Sequence, residues 1–340
     1  MLMSFLCAVS LAAEAKIESH FFGAITMDKQ DCPEFDNTKN FGPVRDQGHQ
    51  GLCWTFQAAA LAEENLCMQD HDLCGKWVSP YDVGRNYLNL LREDYYYNEA
   101  KGEYVQINDG GNGKTALDSI SAEGVCEDTH APYLAFSAIR GDSIDQNETI
   151  AAIFEDFYKE KLELIKKNQK DKLPQVRDEA IHELSKYLDA NHLDGKNLAL
   201  IFDSSMSKSD FLRKLVITKS CRENRQKLSP FKIQEEYFTG DKGPEDTTLQ
   251  FMNFIRDAKK AGVSVGIALD MKYMMVGNPG NSTGKHGIVI DGTHYHEKKR
   301  QCLVHVRNSW GEDSNLQGWL DFKHLEAAII SGYYLEPNKE

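Results

Sequence analysis

Cys53 is the residue of this sequence best placed to act as a nucleophile. It closes the stretch Gly42-Pro43-Val44-Arg45-Asp46-Gln47-Gly48-His49-Gln50-Gly51-Leu52-Cys53-Trp54-Thr55-Phe56, a loop carrying three glycines and a proline. Directly behind it, residues 56–68 are mostly strong helix formers, with Phe56, Ala59, Ala60 and Cys67 falling on one face at helical spacing. The spacing therefore predicts a helix that starts at or near Cys53. Unbonded N–H groups and the macrodipole of a helix start favour an anion, and the thiolate is the nucleophilic form of cysteine. With an imidazolium beside it, such a thiol titrates at ~3.5–7.5 instead of ~8.5. Taken alone, a cysteine here is more often a buried structural residue. Two further segments change that weighting. His286-Gly287-Ile288-Val289-Ile290-Asp291-Gly292 is a histidine opening a short apolar run, and Val304-His305-Val306-Arg307-Asn308-Ser309-Trp310-Gly311 is an alternating strand that ends in Asn308. A nucleophile, a base and an amide that orients the base are the set that acyl transfer through a thiol needs.

With these residues the sequence resembles the papain-like cysteine proteases. Gln47 lies six residues before Cys53, where that family keeps its oxyanion-hole glutamine, and Cys53-Trp54-Thr55-Phe56 stands where it has Cys-Trp-Ala-Phe. Val78-Ser79-Pro80-Tyr81-Asp82 is similar to its Leu-Ser-x-Gln segment, Gly110-Gly111 to its substrate-binding Gly-Gly, and Ala131-Pro132-Tyr133 to its Tyr-Pro-Tyr. The resemblance implies an α+β, two-lobed fold, with a helical lobe, an antiparallel β lobe and the active site in the cleft between them. It also implies roles: His286 as general base, Asn308 as its orienting partner, Trp310 as the indole that shields the pair, and Gly110 and Gly111 as substrate-binding backbone. No metal and no cofactor is called for. Gln50, Leu52 and Lys285 depart from the family pattern, which has a cysteine three residues before the nucleophile, a serine directly before it, and an acidic or amide residue before the histidine.

The elements that must position these groups divide the chain. Residues 41–135 read as the helical half, with helices expected after Cys53, over 81–93 and over 114–122. Gly110-Gly111-Asn112-Gly113-Lys114-Thr115 is no phosphate loop, because the glycine that pattern requires at 108 is Asn108. Residues 136–230 read as a helical insertion, with helices over 144–172, 176–188 and 209–217 and Pro174 as a breaker. Such an insertion is expected either to restrict the cleft as a lid or to decorate the surface. From 231 to 340 the pattern turns to strands, over 263–269, 287–290 and 302–306, with 297–300 as a turn. His294, His296 and His305 fall across this hairpin, where a solvated surface is a commoner reading than a metal site. Tyr95-Tyr96-Tyr97 is read as packing at a helix end.

Composition narrows the partners. A net charge of −13 argues against nucleic acid and anionic membrane, because phosphate binding draws on Lys/Arg clusters. Hydrophobic content of 41% and charge of 27% are those of a globular chain, which speaks against wholesale disorder; a protein or peptide substrate is the partner that the resemblance implies. Residues 2–13 form an uncharged apolar run ending at Ala13-Glu14-Ala15, which reads as a secretory signal peptide over 1–15. Residues 16–40 then make a short lead-in, too short for the long helical inhibitory propeptide of the family resembled. Six cysteines remain besides Cys7 and Cys53, and three disulfides among them would suit an oxidising compartment: secreted, periplasmic or lysosome-like. Fifteen pairings are possible, with Cys67 and Cys74 close enough in sequence to close a short loop. Asn147 and Asn281 open glycosylation sequons. Two other classes would use the same residues: a non-catalytic binding protein of this fold, and a thiol acyltransferase.

Overall fold

Ile288-Val289-Ile290 is an unbroken β-branched run, and such runs form strands covered on both faces. In the computed structural model they lie in the middle of the longest strand of the sheet. The structure describes residues 28–47, 51–88, 95–98, 103–106, 111–131, 143–200, 206–238, 244–270, 285–312, 314, 316–322, 325 and 328–338. The expected signal peptide, Gly110, Pro132-Tyr133 and the Asn281 sequon lie outside these residues.

The strands are β1 (Phe35–Asp36), β2 (Tyr95–Asn98), β3 (Glu103–Gln106), β4 (Phe231–Tyr237), β5 (Val265–Asp270), β6 (Lys285–His296), β7 (Gln301–Arg307), β8 (Gly318–Asp321) and β9 (Ile329–Pro337). Seven of them form one sheet in the order β4-β9-β5-β6-β7-β8, with β1 paired to β6. Every pairing in it is antiparallel. The helices are α1 (Cys53–Gln69), α2 (Pro80–Gly84), α3 (Gly113–Ile120), α4 (Ser143–Lys166), α5 (Leu173–Leu184), α6 (Gly195–Leu200), α7 (Lys208–Leu215), α8 (Lys219–Glu223) and α9 (Pro244–Ala261). The class is α+β.

The chain forms two compact units, one of Met1–Pro80, Asp109–Gly124 and Lys227–Glu340, the other of Tyr81–Asn108 and Val125–Gln226. In the first, α9 lays Phe251, Met252, Phe254, Ile255 and Ala258 against Val265, Ile267, Leu269, Ile288 and Ile290 of the sheet. Each of these side chains but that of Ala258 contributes about 1.5–3 kcal/mol by leaving water. Side chains alternate across a strand, so Gly266, Ala268 and Gly287 face the other way, toward α1. Residues this small let a helix lie close to the sheet. Helix α1 is buried on all sides from Cys53 to Cys67, as expected of a helix with alanines at 58, 59, 60 and 62. Its buried polar residues are partnered. Glu63 accepts from Arg45 at 2.7 Å and from the Val78 N–H at 3.0 Å, and Asn65 bonds both backbone groups of Ser229.

The second unit is built on apolar residues at four-residue spacing. Ile150 and Phe154 of α4, Val176, Ala180 and Leu184 of α5, and Phe211 and Leu215 of α7 are all buried, and Phe154 stacks on Phe211 with ring centroids 4.2 Å apart. Cys126–Cys221 ties together the two ends of its longer segment, and Asp82 of the shorter segment accepts from Arg225 at 2.7 Å and from the Cys126 N–H at 2.9 Å.

Several expectations are corrected. The helix expected over 81–93 ends at Gly84 and gives way to turns. Tyr95-Tyr96-Tyr97 is strand β2, paired to β3, not packing at a helix end. Pro174 does not break a helix but opens α5 in its first turn, where a missing N–H costs nothing. The segment after 231 read as strands contains the long helix α9. Asn112 caps α3, accepting from the N–H groups of Lys114 and Thr115, which gives the glycine-rich stretch its turn. The disulfides are Cys32–Cys302, Cys67–Cys74 and Cys126–Cys221.

Candidate active site

Cys53 is the first residue of α1, is buried, and takes part in no disulfide. Its position follows from the loop before it. Leu52, at the N-cap, has no side-chain oxygen to set on the first N–H groups of the helix, and its carbonyl accepts from Thr55 N–H and Oγ1, both at 2.8 Å. The sulfur thus stands at the positive end of a helix 17 residues long.

His286 lies near the start of β6 and is 2% exposed. Its Nε2 is 2.7 Å from Asn308 Oδ1. A carbonyl oxygen only accepts, so Nε2 carries the hydrogen and Nδ1 is the basic nitrogen of the neutral ring. Nδ1 is buried, with no hydrogen-bond partner among the described residues. The Trp310 indole stacks on the imidazole, with centroids 4.1 Å apart and planes 26° from parallel. Asn308, where β7 ends, is itself oriented: its Nδ2 reaches Ser314 Oγ at 3.2 Å and its N–H donates to Gln317 Oε1 at 2.8 Å.

The segment carrying Gln47 runs beside that of Asn308. Asp46 and Trp310 form an antiparallel bridge, the Gln47 N–H donates to the Ser309 carbonyl at 2.7 Å, and Gly311 N–H donates to the Arg45 carbonyl at 3.3 Å. Gly311 makes this turn with φ +86°, a conformation other residues adopt at a cost. Gln47 is fully buried, and its Oε1 accepts from the Ser309 hydroxyl. The amide's other end is a donor. Arg45 ties this segment to α1 through Glu63 and lies over the Phe56 ring.

Helix start and strand meet at Gly287. A methyl group there would stand 3.4 Å from the Cys53 carbonyl oxygen and 3.1 Å from Gln57 Oε1. Gly111 packs as closely, since a methyl on it would overlap the Trp54 indole at 2.1 Å. The first unit therefore holds Cys53, His286, Asn308, Gln47, Trp310 and Gly111, while Gly110 lies outside the described residues. Ser309, Ser314, Gln317, Gln57 and Tyr333 are the neighbours that sequence reasoning did not single out. Only Ser309 carries a sequence signal, standing between Asn308 and Trp310. Among the described residues no helix is long and apolar enough to cross a membrane.

No family model matches the sequence, and no curated protein matches it either. Solved structures to which the chain is similar include digestive procathepsin L 3 of Tenebrio molitor larval midgut, at 13% identity over 94% of this chain and 75% of that one, with a TM-score of 0.45. Xylellain, a cysteine protease from Xylella fastidiosa, is 15% identical over 90% of this chain and 87% of its own, with a TM-score of 0.43. A recombinant stem bromelain precursor is 12% identical over 93% and 75%, with a TM-score of 0.42.

Proposed function

We propose that this chain is a papain-like cysteine peptidase that hydrolyses internal peptide bonds of protein substrates. One observation carries the reading: a buried histidine, fixed through Nε2 by an asparagine and covered by an indole, turns an unengaged Nδ1 inward on the strand that meets the Cys53 helix start. In the reaction the Cys53 thiol passes its proton to His286 Nδ1, the resulting thiolate attacks the scissile carbonyl, and the oxyanion forms against the Gln47 side-chain amide and the Cys53 N–H. His286 then gives its Nδ1 proton to the leaving amine, which departs and leaves an acyl-cysteine. A water molecule, deprotonated at the same nitrogen, attacks that thioester and releases the acid and the thiolate. Trp310 and burial keep bulk water from the His286–Asn308 bond. Gly111, packed against the Trp54 indole beside Cys53, would offer its backbone to an extended substrate. Three disulfides fit an oxidising compartment, secreted or lysosome-like.

The test is Cys53→Ala assayed on a peptide library, beside iodoacetamide labelling of the unaltered protein. We expect hydrolysis to vanish and labelling to persist well below pH ~8.5, the titration point of an ordinary thiol. Hydrolysis that survives Cys53→Ala would refute the reading.

A further inference from the structure

Gln57 lies four residues after Cys53, one turn of α1 further on and on the same face. It is 5% exposed, and its amide is fully engaged across the helix–sheet junction. Nε2 donates to the carbonyls of Ile267 on β5, at 2.8 Å, and Ile288 on β6, at 2.7 Å. Oε1 accepts from the Tyr333 hydroxyl on β9 at 2.9 Å. Three glycines from three elements clear the space. A methyl at Gly113 of α3 would come within 2.1 Å of the Tyr333 oxygen, one at Gly266 of β5 within 3.0 Å of the Tyr333 ring, and one at Gly287 of β6 within 3.1 Å of Gln57 Oε1.

A helix that needed only burial would place an apolar side chain here. Apolar contact is tolerant of small shifts, whereas three hydrogen bonds to fixed carbonyls and a fixed phenol are directional. Ile288 is two residues beyond His286 on the same strand, and a methyl on Gly287 between them would meet both Gln57 and the Cys53 carbonyl. The amide therefore ties the helix turn that carries the sulfur to the stretch of strand that carries the imidazole. Tyr333 stays neutral and keeps its proton for Oε1, because burial holds its pKa far above the usual phenol range.

We propose that Gln57, held by Tyr333, is a positioning residue that sets the spacing of Cys53 and His286 and so maintains their thiolate–imidazolium pair. The proposal rests on the peptidase reading above. The test measures the rate of Cys53 alkylation by iodoacetamide against pH, with kcat and KM on one peptide. The proteins are the unaltered chain, Gln57→Met, which keeps volume and loses the three bonds, and Tyr333→Phe, which loses one. Near-ultraviolet circular dichroism checks that each is folded. We expect folded Gln57→Met to lose at least tenfold in alkylation rate at pH 5, to match the unaltered protein at pH 9, and to lose kcat with KM unchanged. Tyr333→Phe is expected to shift the same way by about threefold, which keeps the test decisive should Gln57→Met fail to fold. A folded variant with an unaltered pH profile overturns the positioning role and leaves the peptidase reading standing. An ordinary thiol profile and no hydrolysis in the unaltered chain overturn both.

Discussion

At the scale of single residues, His286 differs from the other described histidines in which nitrogen is engaged. His130, His192 and His305 each bond through Nδ1, to Ser220, Asp189 and Asp291, whereas His286 bonds through Nε2 and its buried Nδ1 has no hydrogen-bond partner among the described residues. Asn308→Ala removes the acceptor that fixes this tautomer, and kcat should fall by roughly 10²–10⁴, the upper figure being the cost of a wrong tautomer. Ser314→Ala removes the bond behind Asn308 Nδ2, worth about 1 kcal/mol, together with one from the Leu316 N–H that does not touch Asn308, so the loss in kcat should be about fivefold. Gln47→Ala should cost ~10²–10³ in kcat with KM little changed, as an oxyanion donor does; a large rise in KM alone would instead place Gln47 in ground-state binding. Steady-state kinetics on one peptide reads all three. Cys53, His286, Asn308 and Gln47 were singled out by their residue types and by the family that the sequence resembles, and the structure bonds His286 to Asn308 and sets Cys53 at a helix start. Gln57, Tyr333, Ser314 and Gln317 were not. An amide or hydroxyl acquires its role from a partner up to 276 residues away, and nothing local marks that.

At the scale of elements, the close seating of α1 on the sheet rests on residues with little or no side chain. Gly111→Ala sets a carbon 2.1 Å from the Trp54 indole, next to the nucleophile, and the side chain in the way is large and packed. The indole or the chain at 111 must shift, so we expect destabilisation of about 1–3 kcal/mol, the usual cost of overpacking, with slower turnover. Thermal unfolding beside steady-state rates measures both, and a variant unchanged in each would mean that the groove wall yields freely. Helices α4, α5 and α7 were legible because their apolar residues repeat at helical spacing, β7 because it alternates and β6 because its apolar run is unbroken, whereas the short α6 and α8 were not. Helix α9 had its own signals, with Pro244 at the start, Phe251, Phe254, Ile255 and Ala258 at helical spacing, and Lys259 and Lys260 in the last turn. It was masked by the strands that follow it. Helix α2 misled in the other direction: Ser79-Pro80 marks its start correctly, but Gly84 stops it after one turn.

At the scale of the whole molecule, charge and cross-links set the conditions under which the fold holds. Cysteine pairing could not be read from spacing, since Cys32–Cys302 joins residues 270 apart. The buried carboxyl of Glu64 has the largest consequence for pH. It joins the lead-in to α1 and to the residue before β5, accepting from Asn37 Nδ2 at 3.0 Å and from Ser264 N–H and Oγ, both at 2.7 Å. Burial pushes its pKa up from 4.5 to about 7, the Asp291 carboxylate adds to the rise, and the bonds from Ser264 and Asn40 only partly oppose it. A raised folded pKa fixes the sign. Below pH 4.5 the folded and unfolded chains both hold the proton and the stabilisation is complete; as pH rises through about 7 the folded carboxyl gives up its proton and the stabilisation is lost. The gap corresponds to about 3 kcal/mol. Through Glu64 the protein should therefore be more stable near pH 5 than near pH 8. Glu64→Gln, which mimics the protonated carboxyl, should flatten that slope by raising Tm at pH 8 and leaving it nearly unchanged at pH 4.5. Thermal unfolding of both proteins across this range is the measurement, and a variant whose Tm still falls as steeply toward pH 8 would assign the slope to other groups.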